Sequence, residues 1–143
     1  MKPVYQTIFG GSDRPIEEWG NCVAACIASI LELPLDCVPD NRDENKSWYI
    51  EMEQWLNEKG LGLVIVPYEP TKETFPENAY IMAATKSTTL KNPDDGHLVV
   101  IYNGQIVHDP NPKAESTGEV EELWFLIPLD PAKVLDGEHR GMP

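Results

Sequence analysis

Three features of the chain predict an α+β domain. An alanine-rich apolar run extends from Cys22 to Leu33 and stops at Pro34. A second amphipathic segment follows from Ser47 to Gly60. Beyond it come only short β-branched or aromatic runs separated by turn residues. At 143 residues the chain suits a single domain burying roughly 70% of the surface its unfolded form exposes. Its core is expected over about residues 4–129, with 130–143 as a C-terminal tail.

The first twenty residues contain Gly10-Gly11-Ser12-Asp13-Arg14-Pro15, a turn-rich stretch that reads as a surface loop. The helix over Cys22–Leu33 has Asn21 as a candidate N-cap and Pro34 as its stop. Ala24, Ala25, Ala28 and Ser29 are small enough for strands to approach, which predicts a central helix that is apolar nearly all round. Pro34 to Lys46 reads as a polar loop. Ser47 is placed to cap a second helix through Lys59, with Gly60 as its C-terminal glycine. Trp48, Met52, Trp55 and Leu56 share a stripe of that helix and are assigned to the core.

Strands are predicted at Leu63–Val66, Ala79–Ala84, His97–Tyr102, Gln105–His108 and Leu123–Ile127. Residues 86–96 and 110–119 are irregular and flank the hairpin arms that carry His97 and Asp109. Loops at the ends of a rigid scaffold are where ligands usually meet a protein.

Eleven Lys and Arg against 24 Asp and Glu give a formal net charge of -13, which repels a phosphate backbone and argues against nucleic-acid binding. No apolar run approaches the length of a membrane helix, and the N-terminus lacks the apolar stretch of a signal peptide. No membrane association is therefore expected. Cys22, Cys26 and Cys37 are odd in number and close together, which suits free thiols in the cytoplasm better than a secreted disulfide framework.

The chemistry-bearing residues fall in three places. Cys22 follows Gly20-Asn21 at a helix start, where unpaired backbone N–H groups and the helix dipole favour a thiolate and can stabilise an oxyanion. His97 follows Gly96 at a strand start, and Asp109 ends the returning arm in His108-Asp109-Pro110. A carboxylate that holds an imidazole beside a thiol makes a nucleophilic site.

The hairpin decides whether His97 and Asp109 meet. A two-residue Asn103-Gly104 turn pairs Tyr102 with Gln105 and leaves Asp109 on the other face. A three-residue Tyr102-Asn103-Gly104 loop with a glycine bulge pairs Ile101 with Gln105, Val99 with Val107 and His97 with Asp109. Directly opposed Cβ atoms then lie roughly 4.5 to 5.5 Å apart. The second arrangement is the expected one, because it makes His97 and Asp109 partners. His108 then points to the other face as a structural residue. His139, in the polar tail, is expected to be solvated, and Cys26, one turn after Cys22, to be a buried packing residue.

With these motifs in this order, the chain resembles the papain-like cysteine peptidases, and most of all the small bacterial and phage branch near the double-glycine leader peptidases. The resemblance spans about Gln6 to Leu129, and its specific part is the three short motifs. It implies a central N-terminal helix carrying the Cys and packed on an antiparallel sheet. It also implies Cys22 as nucleophile, His97 as general base and then acid, and Asp109 as the group fixing the imidazole tautomer.

In such peptidases a glutamine a few residues before the Cys supplies the second oxyanion donor. Here the six-residue offset falls on Ile16, and the nearest upstream glutamine is Gln6. Either Gly10–Pro15 is an insertion that lets Gln6 reach the site, or Asn21 or Trp19 replaces it; Gln6 is preferred. The lack of a transporter domain or targeting segment argues against an export-coupled leader peptidase.

The expected activity is hydrolysis of a peptide, isopeptide or related amide bond in a peptide or protein substrate, through an acyl-thioester on Cys22 and without cofactor or metal. The same triad could serve an acyltransferase. Two further readings come from other classes: a non-catalytic binding or inhibitor module that keeps the fold, and a metal site using Cys22, Cys26 and His97.

Overall fold

In the computed structural model, which describes residues 1–40, 47–70, 75–114 and 116–135, the apolar run forms α1 (Cys22–Leu31). Ala24 through Ser29 are all buried. Their small side chains let a strand lie close, so the Cys26 thiol donates to the Leu98 carbonyl at 3.3 Å.

The helix ends two residues earlier than expected. Glu32 turns left-handed at φ 57°, and the Leu33 N–H reaches back to the Ala28 carbonyl at 2.9 Å. This is the geometry of a Schellman closure with Glu in the usual glycine place. Pro34 then prevents continuation rather than causing the stop. Asn21 is also not a side-chain cap, because its amide is used elsewhere, as described below.

The second helix, α2 (Trp48–Glu58), follows the expected signals. The Ser47 hydroxyl accepts from the Ile50 N–H at 3.4 Å, and Gly60 takes φ 80° at the end. Five strands follow: β1 (Leu61–Pro67), β2 (Tyr80–Thr85), β3 (His97–Tyr102), β4 (Gln105–His108) and β5 (Val120–Pro128). They form one antiparallel sheet in the order β1-β5-β2-β3-β4, with the last long strand inserted between β1 and β2.

Both helices cover one face, α1 against β3 and α2 against β1. Ile27, Leu56, Met82, Leu98, Val100 and Trp124 fill that layer. Ile81, Ala83, Val99, Ile101 and Leu123 form the other face under Tyr68 and Phe75. Alternation along β2 and β3 explains the division, since successive residues point to opposite sides. Full burial of a Leu or Ile contributes roughly 1.5–3 kcal/mol, so the helix layer is the main source of stability. Among the described residues no helix is long and apolar enough to cross a membrane.

The hairpin corrects the sequence reading. The turn is the two-residue one, with Asn103 at φ 51° and Gly104 at φ 77°, and Tyr102 pairs with Gln105 and Ile101 with Ile106. The expected Ile101–Gln105 pairing does not form. The type I′ geometry matches strand twist, and Asn-Gly tolerates it well. The extra residue lies further along instead: the register slips so that Val100 faces His108, with Val107 bulged out. A one-residue slip inverts which side every later residue faces. The bulge therefore gives Asp109 the same parity as His97, as the three-residue loop would have done, by a different route.

Candidate active site

Each element delivers one group to a common cleft. The start of α1 supplies Cys22, partly exposed, and the start of β3 supplies His97. Asp109 sits just past β4. His97 Nε2 donates to Asp109 Oδ1 at 2.6 Å, and the same carboxylate oxygen accepts the Asn111 N–H at 2.9 Å. Asp109 is thus held from its own chain while it holds the ring. The side chains of His97 and Asp109 are 16% and 20% exposed, so the pair is only weakly screened by water.

Burial works to lower the proton affinity of His97. The hydrogen bond to Asp109, then the hydrogen bond and charge of Cys22 and the charge of Asp109, outweigh it and raise the ring from 6.5 to about 9. With Nε2 on Asp109, Nδ1 is the nitrogen left for the thiol of Cys22. The sequence-selected residues Cys22, His97 and Asp109 are therefore brought together.

Gln6 joins them through the closure of the intervening loop. Gly10 N–H donates to the Glu18 carbonyl and Gly20 N–H to the Gly10 carbonyl, both at 2.8 Å. The Asn21 N–H donates to Ile8 at 3.3 Å. The excursion from Gly10 to Trp19 is pinched off at its base, so Ile8 lies beside Asn21 and Gln6 lies beside the helix start. An ideal Cβ on Gly20 would come 3.4 Å from Gln6 Nε2, which shows how near the amide approaches.

Gln6 is buried, donates from Nε2 to the Ile8 carbonyl at 2.9 Å, and lines the same cleft as Cys22 and His97. Its Oε1 is buried and has no hydrogen-bond partner among the described residues. The competing donors, which line the same cleft, also make hydrogen bonds. Asn21 Oδ1 accepts from Thr7 N–H at 2.9 Å and Ile8 N–H at 3.1 Å, and its Nδ2 donates to Thr7 Oγ1 at 3.0 Å. Trp19 Nε1 donates to the Arg14 carbonyl at 2.7 Å. Asn21 thus stitches the Gln6–Ile8 segment to α1, a task that displaced the capping role expected from sequence.

The remaining histidines and cysteines separate cleanly. His108 is buried, donates from Nε2 to the Val4 carbonyl at 2.7 Å, and meets the Tyr5 ring edge-on at 5.0 Å. It is structural. Burial, followed by the charges of Cys22 and Asp109, raises the Cys26 thiol well above its ordinary value. Cys37 is exposed, and His139 lies outside the described residues. Among the described residues, no group of three or more His, Cys, Asp or Glu is placed to hold a metal.

The cleft has a volume of about 680 Å³. Ser12 and Asp95 join its two loop walls: the Ser12 N–H and hydroxyl donate to the Asp95 carboxylate at 2.9 and 2.5 Å. That contact, and the place of Trp48, were not legible in the sequence. Of the stripe assigned to the core, Met52 and Leu56 are buried as expected, but Trp48 is 41% exposed and lines the cleft with Trp124. A residue in the first turn of a helix has no preceding turn to cover it, and the available signal was Ser47 immediately before it.

Comparison of the chain with protein-family models, with curated proteins and with solved structures finds no match.

Proposed function

We propose that the protein is a papain-like cysteine hydrolase that cleaves a peptide, isopeptide or related amide bond through Cys22. The observation that carries this reading is the raised imidazole of His97, held by Asp109 at 2.6 Å and hydrogen-bonded to Cys22 at a helix N-terminus. A ring that holds its proton up to about pH 9 is the positive partner a thiolate nucleophile requires. The resemblance of the three motifs to papain-like peptidases supports the same assignment.

In this mechanism the Cys22 thiolate attacks the carbonyl carbon, and the carbonyl oxygen takes up the negative charge. The Cys22 backbone N–H, at the unpaired end of α1, and the second Nε2 proton of Gln6 receive that oxyanion. His97 gives its proton to the leaving nitrogen, and the acyl-thioester remains on Cys22. The neutral ring then takes a proton from water, whose oxygen attacks the thioester and regenerates the thiolate–imidazolium pair. Asp109 keeps the ring oriented through both steps. The substrate class is a peptide or protein, and the free thiols fit action in the cytoplasm.

The test is covalent labelling with a thiol-reactive acyl probe, located by peptide mass spectrometry because Cys37 is also exposed. Wild-type protein should be acylated at Cys22, and His97→Ala should lose most of the rate. Labelling of equal rate at Cys37 in Cys22→Ala, with none at Cys22 in the wild type, would remove the proposal.

A further inference from the structure

The cleft wall formed by α2 and β5 is built differently from the catalytic wall. The Trp48 and Trp124 rings stack nearly parallel, with centroids 5.6 Å apart and planes 6° from coplanar. Trp124 is 6% exposed and its Nε1–H is turned to Glu122 Oε1 at 3.3 Å, so it is the fixed backing of the pair. Trp48 keeps 41% of its surface exposed. Tyr49 meets it edge-on at 5.8 Å, and Met52, which is 3% exposed, also lines the cleft. A flat indole steadied from one side and open on the other is a stacking surface rather than a core residue.

The charge of the cleft narrows what can stack there. Among the described lining residues there is no Lys or Arg, while Asp40 and Asp95 are present, and the chain as a whole carries a formal -13. Apart from the His97 ring at the catalytic centre, an acidic group would find no cation among the described lining residues to receive it against that field, whereas an uncharged ring meets neither penalty.

We infer that Trp48, backed by Trp124, is a specificity-determining subsite that seats a flat, uncharged side chain of the substrate and selects peptides with an aromatic residue near the scissile amide. The inference rests on the Cys22 hydrolase reading for the meaning of the word substrate, but the surface can be tested without catalysis. The contribution of such a ring pair beyond simple burial corresponds to roughly a two- to tenfold preference. Burial of the ring adds to it, giving a discrimination on the order of ten- to a hundredfold against alanine.

The experiment titrates Cys22→Ala protein with three capped tripeptide amides, Ala-Phe-Ala, Ala-Ala-Ala and Ala-Glu-Ala, and follows the tryptophan indole N–H signals by NMR. The Phe peptide should move the Trp48 signal and bind about tenfold or more tighter than the other two. The double variant Cys22→Ala/Trp48→Ala should lose the preference, and Trp48→Phe should keep part of it. Cys22→Ala/Trp55→Ala, changed on the same helix beneath Lys59, should retain it. Equal affinity for the three peptides, a tightest fit for the Glu peptide, or Phe binding that leaves Trp48 unmoved would overturn the subsite. Acyl labelling of wild-type Cys22 reports separately on the hydrolase reading, so failure of one is distinguishable from failure of the other.

Discussion

Replacing Asp109 by Asn removes the charge that holds the proton on His97 while keeping a side chain of similar shape, and its effect can be worked from the structure. Raising His97 from 6.5 to about 9 corresponds to about 3 kcal/mol, at about 1.4 kcal/mol for each factor of ten in proton affinity. Asp109 and Cys22 together supply that sum and also offset burial, and the hydrogen bond to Asp109 is the larger of their contributions.

Because the folded ring binds its proton more tightly than the unfolded one, the stabilisation is complete below about pH 6.5. It fades as pH rises through about 9. NMR titration of the His97 ring should give a midpoint near 9 in the wild type. In Asp109→Asn the midpoint should fall toward or below 6.5, since burial then acts with one partner fewer. Urea unfolding at pH 6 and pH 10 should show a pH-dependent loss of up to about 3 kcal/mol from this group in the wild type, and a smaller loss in Asp109→Asn. The rate of Cys22 acylation should drop by on the order of a hundredfold or more. A wild-type ring titrating at 6.5 or lower, or identical pH profiles of stability for the two proteins, would refute the coupling of His97 to Asp109.

Gln6→Ala should slow acylation of Cys22 by roughly a hundred- to a thousandfold while leaving the His97 midpoint in place; unchanged kinetics would take Gln6 out of the oxyanion site. Iodoacetamide at neutral pH should alkylate Cys22 and Cys37 but spare Cys26, whose buried thiol is pushed up and bonded to Leu98, as read by peptide mass spectrometry. Asn21→Ala, which strips the acceptor from two backbone N–H groups, should cost about 1–3 kcal/mol in urea unfolding and lower the acylation rate by loosening Gln6.

The α+β class, the two helices and the five strands were legible in the sequence because each depends on local chemistry: small apolar residues at Ala24–Ser29, Ser47 as a cap, and β-branched runs between turn residues. Cys22, His97 and Asp109 could be picked out for the same reason, since each stands at the end of an element where a side chain can leave the scaffold. Local rules could not decide how those ends meet. The hairpin reading chose the wrong turn, because Asn103-Gly104 takes the two-residue form and the compensating extra residue, Val107, lies in the strand where no turn signal marks it. The role of Asn21 was likewise invisible, since its partners Thr7 and Ile8 reach it only after the 10–19 loop closes on itself. That closure also brings Gln6 to a helix start from which it is separated by fifteen residues of chain.

The sequence by itself determined which groups are available for chemistry and which segments are helix or strand, because propensity, capping and periodicity act over a few neighbours. Only the tertiary structure decided that His97 bonds Asp109, that Gln6 is carried to the cleft alongside Asn21 and Trp19, and that Trp48 lies open against Trp124. Those outcomes depend on register, loop closure and packing between residues far apart in the chain.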